Sequence, residues 1–494
     1  MHEGSPISQA KTSESEPIGL LAPSRAIVAF VLLGSTALLG LLCLAGFIQA
    51  DLPHAGALPS ATWPIGVAPF VLLLLAIATL PLLRVSAHWW ESNLHRYAVS
   101  LMMAILAVGY GVAVDGTAVA ATRLEHAVLF EFVPFIVLLL SLFVVAGSIR
   151  IETPLRGTPF HNALLLGAGT LAASIVGTTG AAMILIRPLL VSNAHRKHRA
   201  HTVVFFIFLV CNCGGSLLPI GDPPLFMGFL KGVPFFWTLS LWKEWLAVSL
   251  FVLAIFIAVD FFFSRRESVA PSLKDAPKSV RMEGASNLLL LLGILAVVVL
   301  VDPSRDIPGT SIRPFLYLRE FLMLGLLGLS LSSTKSSVRA ANGFSWGAIV
   351  EVAAIFLGIF VSMQVPLEVL RWGGAELGLA EATQFFWATG FLSSLLDNAP
   401  TYLVFLEVAK TIPADASHTM IPLTQGLVRE DLLTAVSLGA VFMGALTYIG
   451  NGPNFMVRSI AQSSGIAMPS FFSYAFWACV VLIPAFMLTS LILP

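Results

Sequence analysis

Apolar residues run along this chain in blocks of about 20, the length that crosses about 30 Å of hydrocarbon at 1.5 Å per residue. Polar residues gather between the blocks. Runs near 26–50, 64–83, 98–115, 127–148, 243–263, 286–301, 316–333, 345–366 and 470–493 predict plain helices. Two other segments are interrupted. The stretch 158–192 holds Gly167, Gly169, Gly177, Gly180 and the pair Thr178-Thr179, and 375–410 holds Ser394, Asp397, Asn398, Pro400 and Thr401, so each predicts a re-entrant hairpin. Two more, 202–230 and 431–463, predict broken helices, and their interruptions look like copies of one another. One reads Ile220-Gly221-Asp222-Pro223-Pro224 and the other Ile449-Gly450-Asn451-Gly452-Pro453, with Phe-Met following and another glycine (Gly215, Gly444) six residues before the shared one.

The order of these pieces repeats. Three helices, a hairpin, a broken helix and a plain helix fill 64–263 and again 285–494, with a polar linker at 264–284, a polar tail at 1–24 that predicts disorder, and a first helix and loop at 25–63. Hairpins do not cross, so each unit crosses an odd number of times and the second enters from the opposite face. The expected fold is an all-α polytopic membrane protein of about 11 transmembrane helices plus two re-entrant hairpins, arranged as two inverted five-helix repeats with broken helices. Loop charges set the orientation. With the N-terminus in the cytoplasm, 17 of the 27 Lys and Arg fall on that side and nine on the other, with Arg187 inside the apolar region. The expected location is a bacterial inner membrane, with the C-terminus in the periplasm.

Composition agrees with the pattern: 57% of the 494 residues are hydrophobic, 11% are charged, and the mean hydropathy is +0.90. A lipid bilayer is therefore the first expected partner. The net charge is zero, which gives no overall field for nucleic acid. The four cysteines, Cys43, Cys211, Cys213 and Cys479, sit in apolar segments without the second ligand pair of a zinc site and read as packing. No His-Glu-x-x-His occurs, and no enzyme activity or cofactor is expected.

Unwound backbone at membrane depth persists only where protein, water or ligand satisfies it, and matched interruptions in two halves point to a transporter's binding site. Asp222 lies in the first break and Asp397 in the second hairpin tip; both read as ligands of Na⁺ or Li⁺ and as proton carriers, or as N-caps of the half-helices that follow. Thr178, Thr179, Asn398, Thr401, Thr447, Asn451 and Asn454 offer the neutral oxygens a hard cation accepts. Glu131 and Glu351 are further proton-carrier candidates, or helix-end groups within reach of headgroups. Arg187 and Glu407 align between the repeats and suggest an internal ion pair. His195, His198 and His201 read as part of a solvated basic loop.

Paired hairpins with Asx/Thr tips, each followed by a helix broken at a Gly-Asx-Pro loop, resemble the ion transporter superfamily. It includes NhaD-type sodium:proton antiporters, arsenite pumps of the ArsB type, and citrate and dicarboxylate carriers. The resemblance covers about 64–494 and is sharpest at Gly215 to Pro224, Leu396 to Thr401 and Gly450 to Asn454. It implies a homodimer, and a site built from Thr178, Thr179, Gly221, Asp222, Asp397, Asn398, Thr401, Gly450 and Asn451. The dicarboxylate carriers bear Ser-Asn-Thr at both tips; here the tips are Gly177-Thr178-Thr179 and Asp397-Asn398-Ala399, closer to the antiporters. The expected function is Na⁺(Li⁺)/H⁺ antiport by alternating access. The alternative is cation-coupled transport of citrate, another small carboxylate, or arsenite.

Overall fold

The computed structural model describes residues 62–83, 85–154, 156–267, 279–303, 306–307, 310–413 and 418–494. The expected N-terminal tail, the first helix at 26–50 and part of the linker at 264–284 lie outside the described residues.

The described chain is 75% helical. Its elements are α1 (Trp63–Thr79), α2 (Asn93–Asp115), α3 (Thr117–Gly147), α4 (Pro159–Val176), α5 (Thr178–Ser192), α6 (Ala200–Leu209), α7 (Pro223–Leu230), α8 (Trp242–Arg265), α9 (Ser286–Leu300), α10 (Leu318–Ser333), α11 (Trp346–Ser362), α12 (Gln364–Gly373), α13 (Ala382–Leu395), α14 (Asn398–Lys410), α15 (Glu430–Met443), α16 (Gly452–Ser463) and α17 (Phe471–Ile492). Two antiparallel ribbons tie loops together: β1 (Arg150–Glu152) with β2 (Arg281–Glu283), and β3 (Met420–Pro422) with β4 (Leu427–Arg429).

By length and composition, five described stretches can each cross a membrane alone: α2, α3, α4, Phe235–Arg265 and α17. The pair α11 and α12, bent by 43°, makes a sixth if taken as one span. The others are shorter or interrupted. One difference from the sequence pattern is α4, expected as half of a hairpin too short to span by itself, which runs for 18 residues because Thr158 caps its start and Pro159 occupies its first position. A second is α3, which begins at Thr117 rather than near 127 and contains a π-helical turn at His126–Phe132.

The interruptions are written in local chemistry. Only Gly177 separates α4 from α5, and its φ of +80° is a conformation that side chains with a Cβ rarely adopt. Asp222 ends the unwound segment after α6 in extended conformation, and Pro223 and Pro224 then start α7, where their missing N–H costs no helix bond. Asp397 starts α14, and Asn451 with Pro453 starts α16.

Burial separates centre from perimeter. Residues 202–209 of α6 and 432–443 of α15 are all buried, whereas α2 and α17 expose Leu101, Ile105, Leu106, Phe472, Phe476 and Leu491. Apolar faces of that extent need lipid rather than water beside them. The interrupted helices thus lie inside an all-α membrane protein. A buried polar knot pins one end of α4, α6 and α8: Asp260 accepts from Asn162 Nδ2 (2.8 Å) and pairs with Arg196 (2.5 Å) and His201 (2.8 Å). Arg196 also meets Glu267 at 3.1 Å, and the His198 and His201 rings stack on Phe263. Of the basic loop expected to be solvated at His195 to His201, Lys197 and His198 stay exposed, while Arg196 and His201 fold back because the Asp260 carboxylate, fully buried in α8, needs charge partners.

Candidate functional site

Four half-helices begin at one place in the interior: α5 at Thr178, α7 at Pro223, α14 at Asn398 and α16 at Gly452. Each start leaves backbone N–H groups unpaired and carries about half a unit of positive charge. Helix starts of this kind attract anions, and the residue at the centre of them is Asp222.

Asp222 is 2% exposed. It occupies the cap position of α7, yet its side chain makes no capping bond. Instead Oδ1 accepts from Thr178 Oγ1 at 2.8 Å and from Asn451 Nδ2 at 3.0 Å, and Oδ2 accepts from Asn398 Nδ2 at 2.6 Å. One donor comes from each of the other three interruptions. A single carboxylate thereby joins both hairpin tips and both breaks, and every hydrogen bond it accepts comes from a neutral group. The Asn398 Oδ1 atom is buried and has no partner, so a carbonyl oxygen stands free beside the carboxylate.

Close backbone approach holds this arrangement. The Gly221 carbonyl accepts from the Thr178 N–H at 2.7 Å, closing the first tip onto the first break. A Cβ on Gly215 would lie 2.7 Å from Thr178 Cγ2 and 2.9 Å from the Asp222 Cβ, so only glycine fits there. Ser174 Oγ donates to the Gly214 carbonyl (2.5 Å) and accepts from the Leu217 N–H (3.3 Å). The second half uses the same device, with Thr447 Oγ1 donating to the Ser394 carbonyl at 2.6 Å and accepting from Gly450 N–H at 3.2 Å.

The other expected site residues divide. Asp397 does cap its helix, accepting from Ala399 N–H at 3.2 Å, and Thr401 Oγ1 donates to the Asp397 carbonyl at 2.9 Å. Thr179 is half-buried next to Thr178 and does not join the contacts to Asp222. Asn454 donates to the Gly444 and Thr447 carbonyls at 2.9 and 3.0 Å, which holds the second break open. Glu351 pairs with Arg96 at 2.7 Å, between α11 and α2. Glu131, in the π-helical turn, pairs with Lys231 just past α7, accepts from Gln364 Nε2 at 3.0 Å, and lies 3.5 Å from His126 Nδ1. A contact between positions five apart on one helix face is what the π turn produces.

The expected Arg187–Glu407 pair is not formed. Glu407 instead meets Arg371 of α12 at 3.1 Å and Lys410, three residues on in its own helix, at 2.8 Å. Arg187 lies against Gly343, with its Nε buried and unpartnered. Alignment between repeats set these two residues at equivalent positions; equivalence in inverted halves does not bring them into contact.

Asn212, Lys231 and Gln364 escaped the sequence pattern. Asn212 is fully buried, donates to Asn454 Oδ1 at 2.7 Å and to the Ile207 carbonyl at 2.8 Å, and lies 3.3 Å from Asn451 Nδ2. Its one signal was an amide in the apolar run Val210-Cys211-Asn212-Cys213, just ahead of Gly214 and Gly215. Among the described residues, no three His, Cys, Asp or Glu side chains group as a transition-metal site would need.

Interrupted helices that converge on a buried carboxylate inside an all-α membrane protein define a membrane transporter. The chain belongs to the family described as "Putative citrate transport", whose model matches residues 60–493, within the ion transporter superfamily. No curated protein matches the chain.

Proposed function

We propose that this protein exchanges Na⁺ or Li⁺ for protons across the membrane by alternating access, with Asp222 as the group that holds the cation and the protons in turn. One observation carries the reading: Asp222 is buried, joined to all three other interruptions, and hydrogen-bonded only by neutral donors. A buried carboxylate without a basic partner is costly, and a bound cation or proton removes that cost. The unpartnered Asn398 Oδ1 and the hydroxyl oxygen of Thr178 supply the neutral ligands a hard cation takes. Asp397, one residue from Asn398, is the second proton-carrier candidate. Coupling follows because one carboxylate cannot hold both ligands at once.

The repeated order of a hairpin and a broken helix, α4 to α7 and again α13 to α16, supports two inverted units exposing this site to either face in turn. A homodimer in a bacterial inner membrane, N-terminus in the cytoplasm, belongs to the same proposal. The decisive experiment is reconstitution in proteoliposomes with an internal pH dye. An external NaCl pulse is expected to alkalinise the lumen, because Na⁺ entering down its gradient drives protons out. No Na⁺-induced proton movement, with uptake of radiolabelled citrate in its place, would sink antiport.

A second reading has its own support. Four helix starts around one point favour an anion, and the family is described by citrate transport. In that reading a cation at Asp222 screens its charge, and a small carboxylate binds against the N–H groups of α5, α7, α14 and α16. Citrate uptake that requires Na⁺ in the same vesicles separates it from exchange.

A further inference from the structure

The Asn451 amide nitrogen faces more acceptors than it has hydrogens. Nδ2 lies 3.0 Å from Asp222 Oδ1, 3.0 Å from the Cys211 carbonyl oxygen and 3.3 Å from Asn212 Oδ1, and an NH₂ group carries two hydrogens. The orientation of Asn212 is fixed by chemistry. Its other amide atom lies within 2.8 Å of the Ile207 carbonyl oxygen, which only accepts, so nitrogen stands there and the oxygen faces Asn451. The same nitrogen serves Asn454 Oδ1 at 2.7 Å.

Two states of the site follow. With Asp222 bare and ionised, its charged oxygen takes one Asn451 hydrogen, since charge-assisted bonds are the stronger ones. The Cys211 carbonyl takes the other, and Asn212 Oδ1 is left without a donor. A cation on Asp222 Oδ1 displaces that N–H, and the released hydrogen has an acceptor waiting at Asn212 Oδ1. Buried polar groups left without partners are costly, so the bare state carries an orphaned acceptor that the occupied state satisfies. We infer that Asn212 is a positioning residue that raises the cation affinity of Asp222 without touching the cation, by receiving the Asn451 hydrogen that binding displaces. The inference rests on the reading of Asp222 as the cation ligand.

The substitution Asn212→Thr tests it. A threonine hydroxyl can still donate to the Ile207 carbonyl at the helix end, but it does not extend to Asn451. In purified full-length protein, Na⁺ binding is measured by isothermal titration, alongside Na⁺ KM and maximal rate in proteoliposomes and Tm without Na⁺. The expected result is a Kd and KM raised about three- to tenfold, the worth of one hydrogen bond, with maximal rate nearly unchanged and Tm lowered by a few degrees, because Asn454 Oδ1 also loses its donor. A lower Tm or rate with unaltered Kd is the signature of a merely structural role and overturns the inference. Asn212→Ser provides the same comparison if the threonine variant does not fold. Asp222→Asn separates the two levels. Wild-type protein that binds no Na⁺, or an Asp222→Asn variant that binds it equally well, defeats the reading of Asp222. Binding lost in Asp222→Asn but unaltered in Asn212→Thr defeats only the role of Asn212.

Discussion

The two broken helices place Asp222 and Asn451 in nearly the same backbone conformation, φ −143° and ψ 145° against φ −153° and ψ 139°, each at the cap position of a half-helix that starts with proline in its first turn. Neither side chain caps its helix. The two turn toward each other instead, and the amide of one donates to the carboxylate of the other. Equal frames with unequal charge teach that the backbone break and the ion chemistry are separable. Glycine and proline open the helix in both halves, and one oxygen-for-nitrogen difference decides which half carries the charge. The hairpin tips differ in the same way, because the first offers Thr178 to Asp222 while the second offers Asn398 and keeps its own carboxylate, Asp397, for capping.

Making the breaks alike is the strongest way to test that contrast. Asp222→Asn removes the charge while keeping shape, and Na⁺-driven proton movement is expected to fall at least about a hundredfold, the scale of losing a charged, buried interaction of about 3 kcal/mol. Asn451→Asp makes them alike in the other direction. It places a second carboxylate against Asp222 and deletes a donor to it, so the rate is expected to fall about tenfold while added Na⁺ raises Tm more than in the wild type. Asp397 separates capping from charge. Asp397→Ala is expected to cost about 1 kcal/mol of stability in urea or thermal unfolding, and Asp397→Asn, which still caps, only a few tenths. Equal and large transport losses in both variants would instead give Asp397 an ionic role. The smallest effect on transport belongs to Gly177→Ala. A Cβ at φ +80° is strained by about 1 kcal/mol and would meet the Ile220 carbonyl at 3.2 Å, lowering Tm by a few degrees with the Na⁺ affinity little altered.

The interruptions were legible because glycine and proline leave a signal wherever they break an apolar run: Gly177, Pro223 and Pro453 all mark observed boundaries. The contacts among Asp222, Thr178, Asn398 and Asn451 join residues named in advance, since polar groups in apolar runs are few. What escaped reading depends on side-chain direction. Whether Asp222 or Asp397 caps its helix cannot be seen in spacing, and the Glu407 partners, Arg371 and Lys410, follow from how α12 and α14 pack. The π turn at His126–Phe132 has no signature in hydrophobic period. Asn212 was hidden by its neighbours, because a lone amide in an apolar run reads as packing until its partners are known.

The half-helices around the site have 10, 8, 14 and 12 residues in α6, α7, α15 and α16, all below the roughly 20 that let a segment partition into a bilayer alone. Each break also exposes carbonyl and N–H groups that lipid cannot satisfy. During biosynthesis these segments therefore have no stable place in the membrane until longer helices such as α3, α8 and α17 have inserted and built a polar interior to receive them. The binding site therefore assembles after those longer helices, and its first half, with Thr178 and Asp222, waits for Asn398 and Asn451 of the second to be made.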